Sequence, residues 1–152
     1  MKLILIRHGE AERLTAQDTE RVLTDRGLRQ ASWTMQEIAR RFHPDAFIVS
    51  PLRRAQQTLA PLQQQFPHVP VQVCDLIKPD DPAAPALKWL SQQTGECIVV
   101  VCHMNVIALL AAQLLAESPV AFDLAEAWVL DQVSIGLGQS TRVLALQPPS
   151  DI

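Results

Sequence analysis

His8 and His103 stand apart from the other histidines of this 152-residue chain because each follows directly on an apolar run. Leu3-Ile4-Leu5-Ile6 opens into Arg7-His8-Gly9-Glu10, and Ile98-Val99-Val100-Val101-Cys102 ends at His103-Met104-Asn105. A further run, Phe47-Ile48-Val49, leads into Ser50-Pro51-Leu52-Arg53-Arg54. Imidazole can act as a nucleophile or carry a proton near neutral pH. Guanidinium binds phosphoryl oxygens through charge-assisted, often bidentate hydrogen bonds. Taken singly, a histidine just past a strand is commonly a hydrogen-bonded surface residue, and an arginine early in a helix is commonly a solvated charge. Their recurrence at three such junctions is what suggests chemistry. His43 and His68, set beside Pro44 and Pro67 in loop contexts, are read as having no chemical role.

The runs that carry these residues read as strands. Unbroken apolar stretches such as Leu3–Ile6, Phe47–Val49 and Ile98–Val101 fit strands covered on both faces. Val71-Gln72-Val73 is a weaker strand near an edge, and Asp131–Ile135 and Arg142–Leu146 alternate as strands with a less buried face. Helices separate them. Leu28, Ala31, Met35, Ile38, Ala39 and Phe42 form one helical stripe, with Thr24 as N-cap, Asp25 at the positive end and Pro44 past the stop. Ser50-Pro51 reads as N-cap and first residue of a second helix with Ala55, Leu59 and Leu62 inward. Pro61 should kink or end that helix. Further helices are expected over Ala84–Gln93 and Asn105–Ala116, with a loop over Lys78–Pro85 and a hairpin turn at Gly136-Leu137-Gly138.

This alternation predicts an α/β fold: a three-layer α/β/α sandwich around a mostly parallel sheet, in one domain over residues 1–152. In such folds ligands sit beyond the carboxyl ends of the strands. The three junctions would then meet on one sheet edge, where two helix starts would add unpaired N–H groups suited to a dianion. Around a helix Arg53 points about 100° away from Arg54 and should face solvent.

Composition removes several classes. Thirteen Lys and Arg against sixteen Asp and Glu give a net charge of −3, so nucleic acid is not an expected partner. Any anion site must come from a few focused arginines. The amino-terminal apolar run reaches Arg7 too soon for a signal peptide. The longest apolar stretch, Val106–Ala112, falls far short of the roughly 20 residues that cross a bilayer. No membrane association is expected, and the localisation expected is cytoplasmic. Cys74, Cys97 and Cys102 read as ordinary thiols of a reducing compartment, with Cys97 and Cys102 on opposite faces of one strand. No ligand spacing for a metal and no phosphate-binding glycine loop occurs, so neither metal nor cofactor is expected.

Leu5-Ile6-Arg7-His8-Gly9-Glu10 resembles the R-H-G signature of the histidine phosphatase superfamily, the phosphoglycerate-mutase-like proteins. Ser50-Pro51-Leu52-Arg53-Arg54-Ala55-Gln56-Gln57-Thr58 is similar to its S-P-x-x-R-A-x-Q-T element, with Arg54 at the motif arginine. Val99–His103 resembles the strand bearing the second histidine. Asp18-Thr19-Glu20-Arg21-Val22-Leu23-Thr24-Asp25-Arg26-Gly27 is similar to the D-x-x-R-x-L-T-x-x-G stretch of the bacterial phosphohistidine phosphatase SixA branch. The resemblance runs from Met1 to about Leu146. It departs at Pro61, inside a helix that relatives usually continue, and at Met104-Asn105, which would alter the pocket rim.

The resemblance implies that His8 attacks phosphorus and forms a phosphohistidine that water cleaves. It implies that Arg7, Arg54 and His103 hold the phosphoryl group, with Arg21 a further phosphate ligand. An attacking imidazole must be neutral, a condition favoured by nearby arginines. His103 is expected as imidazolium beside the bound dianion. Glu10, Asp18 and Asp75 are all possible proton donors, and spacing selects none. An alkoxide leaving group needs such a donor, whereas an imidazole is far easier to expel. The leading expectation is therefore hydrolysis of phosphohistidine on a partner protein of the histidine phosphotransfer type. A small-molecule phosphatase or mutase, and a phosphoprotein-binding module without turnover, are the alternatives. Oligomeric state has no signature in the sequence.

Overall fold

Leu3, Ile4, Leu5 and Ile6 are fully buried, as are Ile98 to Cys102, because both strands lie inside a sheet sandwiched between helices. A computed structural model of the chain describes residues 1–13 and 17–152. Strands β1 (Lys2–Arg7), β2 (Ala46–Val49), β3 (Val71–Val73), β4 (Cys97–Cys102), β5 (Ala127–Asp131) and β6 (Thr141–Leu146) form one sheet in the order β3-β2-β4-β1-β5-β6. The pairs β3/β2, β2/β4 and β4/β1 are parallel. β5 pairs antiparallel with both β1 and β6, so the sheet is parallel only on one side.

Helices α1 (Asp25–Arg41) and α2 (Arg53–Gln65) cover one face, where Met35, Ile38, Ala55, Leu59 and Leu62 meet Ile4, Ile6, Phe47, Val99 and Val129. Helices α3 (Ala83–Leu90) and α4 (Val106–Leu115) cover the other, where Leu87, Leu90, Leu110 and Leu114 meet Leu3, Leu5, Val100 and Leu130. Three layers result. Burying one such side chain contributes about 1.5–3 kcal/mol. The cysteines are free and buried, with Cys97 and Cys102 in opposite core layers. Burial pushes their thiols up, to about 11 and about 12.

Several elements differ from the sequence expectation for identifiable reasons. The fifth strand covers Ala127–Asp131 rather than Asp131–Ile135; lying between β1 and β6, it is buried on both faces and shows no alternation. Val133, which the alternation placed in a strand, is almost fully exposed in the β5–β6 connection. On α1, Leu28 is exposed while Gln30 and Thr34 are buried, because these two hydrogen-bond the backbone of Glu10 and Ala125. Helix α2 starts at Arg53, not at Pro51, and it runs through Pro61 to Gln65 without stopping. Helix α3 begins at Ala83, with Pro85 in its first turn, where a missing N–H removes no helical bond. Its end at Leu90 and the Val106–Leu115 span of α4 fall inside the expected ranges. β3 is the exposed edge strand expected.

Gly9 and Gly27 allow the loop after β1 to rest on the first turn of α1. A Cβ on Gly27 would lie 2.0 Å from the Glu10 carbonyl oxygen, and one on Gly9 would lie 2.6 Å from that of Gly27. Gly27→Ala is therefore expected to destabilise by about 1–3 kcal/mol, since backbone must move to admit the methyl. Denaturant unfolding measures this, and an unchanged midpoint would show that the loop is not held against the helix.

Candidate active site

Parallel register brings the three junctions side by side. Arg7 pairs with Cys102 and Val49 with Val101, so His8, His103 and Ser50 leave adjacent strands at one sheet edge. The His8 N–H donates to the Cys102 carbonyl at 3.1 Å and the Ser50 N–H to that of Val101 at 3.1 Å. The two imidazole rings lie 5.1 Å apart between centroids, inclined at 55°. Residues separated by most of the chain thus meet.

The hydrogen bonds define the tautomers. His8 Nδ1 lies 2.7 Å from the Gly9 carbonyl oxygen. That oxygen can only accept, so Nδ1 carries the proton and Nε2 keeps its lone pair. His103 Nε2 lies 2.7 Å from Ser50 Oγ, which also accepts from the Leu52 N–H at 3.2 Å. The Ser50 hydroxyl has one proton to give and can donate it to His103 Nε2, a pairing that puts the ring's own proton on Nδ1. Among the described residues that buried Nδ1 has no hydrogen-bond partner, and neither does Nε of Arg7 or of Arg54. Buried donors without partners are uncommon and mark a place for a ligand.

Both imidazoles are uncharged at neutral pH. Burial first, then the charges of Arg54, Arg7 and Arg21, holds His8 down at about 4, against the opposing hydrogen bond to Gly9. Burial, then His8 and Arg54, brings His103 to about 3. Burial is the largest cause of this uncharged state; the imidazolium expected at His103 concerned the ring beside a bound dianion. Unfolded histidine titrates near about 6.5, so between there and the folded values the unfolded chain binds protons that the folded chain does not. Stability from each ring is fully present above about pH 6.5 and is lost, by up to about 1.4 kcal/mol per pH unit, as pH falls. Urea unfolding from pH 7.5 to 4.5 should show this slope. A double His8→Gln, His103→Gln variant should flatten it, and an unreduced slope would contradict the assignment.

The cations approach from separate elements. Arg7, at the end of β1, donates from Nη1 to the Phe122 carbonyl at 2.8 Å. Arg54, only 3% exposed, donates from Nη1 to the Asp18 carbonyl at 2.9 Å and from Nη2 to the Asp18 carboxylate at 3.2 Å. Arg21 holds the other oxygen of that carboxylate at 2.9 Å and donates from Nε to the Glu12 carbonyl at 2.6 Å. A cavity of about 530 Å³ opens above, lined by Arg7, His8, Glu10, Arg13, Arg21 and Leu124 among others. Arg54 and His103 are not on its wall.

A model of the histidine phosphatase superfamily (branch 1) matches residues 3–78. This chain belongs to that superfamily. A search of curated proteins found no match. Among solved structures, the protein histidine phosphatase SixA complexed with tungstate is similar at a TM-score of 0.86 and 21% identity, covering 97% of each chain. A protein of Agrobacterium tumefaciens assigned as phosphohistidine phosphatase SixA gives 0.84 and 22%, again covering 97% of each. A phosphoserine phosphatase of Entamoeba histolytica, in complex with 3-phosphoglyceric acid, gives 0.73 and 20%, covering 98% of each. The fold is the phosphoglycerate-mutase-like one.

In this superfamily member the start of α4 does not contribute to the anion site that the strand order suggested. The N–H groups of Asn105 and Val106, at the head of α4, both donate to the Pro79 carbonyl. The charges at this edge come from the side chains of Arg7, Arg21 and Arg54. Arg53 is exposed, as its helical angle required, and His43 and His68 are exposed away from the site. Of the acids, Glu10 accepts from the Thr24 hydroxyl at 2.9 Å and pairs with Arg26 at 3.4 Å. Asp75 pairs with Lys78 at 3.0 Å. The Arg21 hydrogen bond and the Arg54 charge hold the Asp18 carboxyl below its usual range, so it is ionised. The sequence suggested only a capping role for Ser50 and none for Thr58. Thr58 accepts from the Gly9 N–H at 3.1 Å and donates to the Arg54 carbonyl at 2.8 Å, tying the His8 loop to α2. Both are fully buried polar residues in a motif of which only the arginine was assigned chemistry.

Proposed function

We propose that residues 1–152 form a single metal-independent phosphatase domain that hydrolyses phosphohistidine on a cytoplasmic partner protein. The observation that carries this reading is the free lone pair on His8 Nε2, uncharged amid Arg7, Arg21 and Arg54. That lone pair forms a bond to phosphorus as the phosphorus–nitrogen bond of the substrate breaks, its electron pair staying on the partner's ring, which departs as neutral imidazole because its other nitrogen is protonated. Water then attacks phosphorus, the bond to Nε2 breaks, and the water's proton departs with orthophosphate or bulk solvent. Arg7, Arg54 and the Nδ1–H of His103 balance charge on the phosphoryl oxygens, with Arg21 as a further ligand.

The choice of phosphoramidate over ester follows from the acids. Ester cleavage needs a proton for the alkoxide. Asp18 is ionised, and the Glu10 carboxylate is occupied by Thr24 and Arg26. A phosphohistidine ring can take its proton from solvent on the nitrogen away from phosphorus and then departs as neutral imidazole, so no acid of the site is needed. The names of the SixA proteins among the similar structures support the same substrate class. Initial rates on a phosphorylated histidine phosphotransfer domain, compared with 3-phosphoglycerate and sugar phosphates, test the reading. Efficient turnover of only the small esters would overturn it.

Ser50 acts as a positioning residue in this account, since its hydroxyl sets which His103 nitrogen bears the proton. Ser50→Ala is expected to lower kcat by up to about tenfold, the worth of one hydrogen bond. Ser50→Thr, which keeps the hydroxyl, should restore much of it. Equal losses in both variants would point to packing instead.

A further inference from the structure

Arg54 is the most deeply buried cation of the site, yet both of its terminal nitrogens are already engaged by Asp18. Nη1 donates to the Asp18 carbonyl and Nη2 to its carboxylate, while Nε is left without a partner among the described residues. The same carboxylate takes Arg21 Nη1 on its other oxygen. A carboxylate bridging two guanidinium groups offers them the planar, anionic pair of oxygens that a phosphoryl group would offer. We infer that Asp18 is a resident ligand of the arginine cradle, whose carboxylate competes with an incoming phosphoryl group and must swing aside for it.

The placement of Asp18 suits displacement. Its side chain is 58% exposed. It sits in a single 3-10 turn, Asp18–Glu20, that buries no residue, so moving it uncovers no core. The Asp18 carbonyl takes one N–H of Nη1 and its carboxylate one N–H of Nη2, so a single residue claims both terminal nitrogens of Arg54 in part. Any anion entering the cradle therefore binds only to the fraction of molecules in which Asp18 has swung away, and its apparent affinity falls by that fraction. Product release is favoured by the same competition.

This inference rests on the cradle being the phosphoryl site, and one experiment separates the two claims. Orthophosphate and tungstate are titrated calorimetrically into wild type, Asp18→Asn and Asp18→Ala, each checked for an unaltered melting profile. The expected result is that both ions bind roughly tenfold or more tightly to both variants, since the competing charge is gone. Orthophosphate should correspondingly inhibit the variants at lower concentration during dephosphorylation of a phosphotransfer domain. If the ions bind wild type but bind the variants equally or more weakly, Asp18 merely orients the arginines and the inference is wrong. If neither ion binds any of the three proteins, the cradle is not a phosphoryl site, and the proposed function fails with it.

Discussion

His8→Ala is expected to lower the dephosphorylation rate of a phosphotransfer domain by a factor on the order of 10⁴ or more, as loss of a covalent nucleophile typically does. The size of the effect follows from what alanine cannot replace. The His8 hydrogen bond to the Gly9 carbonyl fixes its tautomer and leaves the Nε2 lone pair free at the strand edge. Water entering the space left by the ring would still meet Arg7 and Arg21, so a small residual rate over solution is expected from the cradle alone. The fold should survive, because the His8 side chain contributes a hydrogen bond only to its neighbour Gly9. Stopped or quenched single-turnover assays measure the change. A loss of less than tenfold would remove His8 as nucleophile.

Arg54→Ala should cost about 3–4 kcal/mol of transition-state stabilisation, equivalent to a fall of about 10²–10³ in kcat/KM. Charge on the phosphoryl oxygens is greatest as the bond to the leaving imidazole breaks, and Arg54 is the buried cation closest in influence to His8 after burial and the Gly9 bond are set aside. Arg54→Lys should recover little, since an ammonium is a point charge without the planar fork. Thermal stability should fall only modestly, because its partner Asp18 is exposed and regains water. A variant that keeps near-normal kcat/KM would take Arg54 out of the site. One that loses activity in proportion to folded fraction would make its role structural.

How far the sequence led depended on the range of the interaction concerned. Leu3–Ile6 and Ile98–Val101 were legible as central strands because a strand buried on both faces has no polar residue to interrupt it. Thr24 was legible as a cap because capping is local, and its Oγ accepts from the Gly27 N–H as expected. From those elements the meeting of His8 with His103 followed by topology. What remained unread depended on partners far along the chain. Ser50 looked like a helix cap, but the helix begins after Leu52 and its hydroxyl serves His103 instead. Leu28 fitted the apolar stripe of α1, yet Gln30 and Thr34 take the buried positions to satisfy backbone at Glu10 and Ala125. The expected anion site at α4 was lost to the carbonyl of Pro79. Pro61 was expected to kink or end its helix, and the helix does not end there but continues to Gln65. Asp18, considered as an acid, turned out to be an ionised partner of two arginines, which no local pattern discloses.

The covalent step tests the account most directly. Wild-type protein is mixed with a phosphotransfer domain carrying labelled phosphohistidine, quenched in alkali within one turnover, digested, and the labelled nitrogen identified by phosphorus–nitrogen coupling. The account predicts acid-labile, alkali-stable phosphate on Nε2 of His8, appearing and decaying at the rate of turnover. Turnover that proceeds with no phosphate on the chain, or with phosphate on any other side chain, would contradict it.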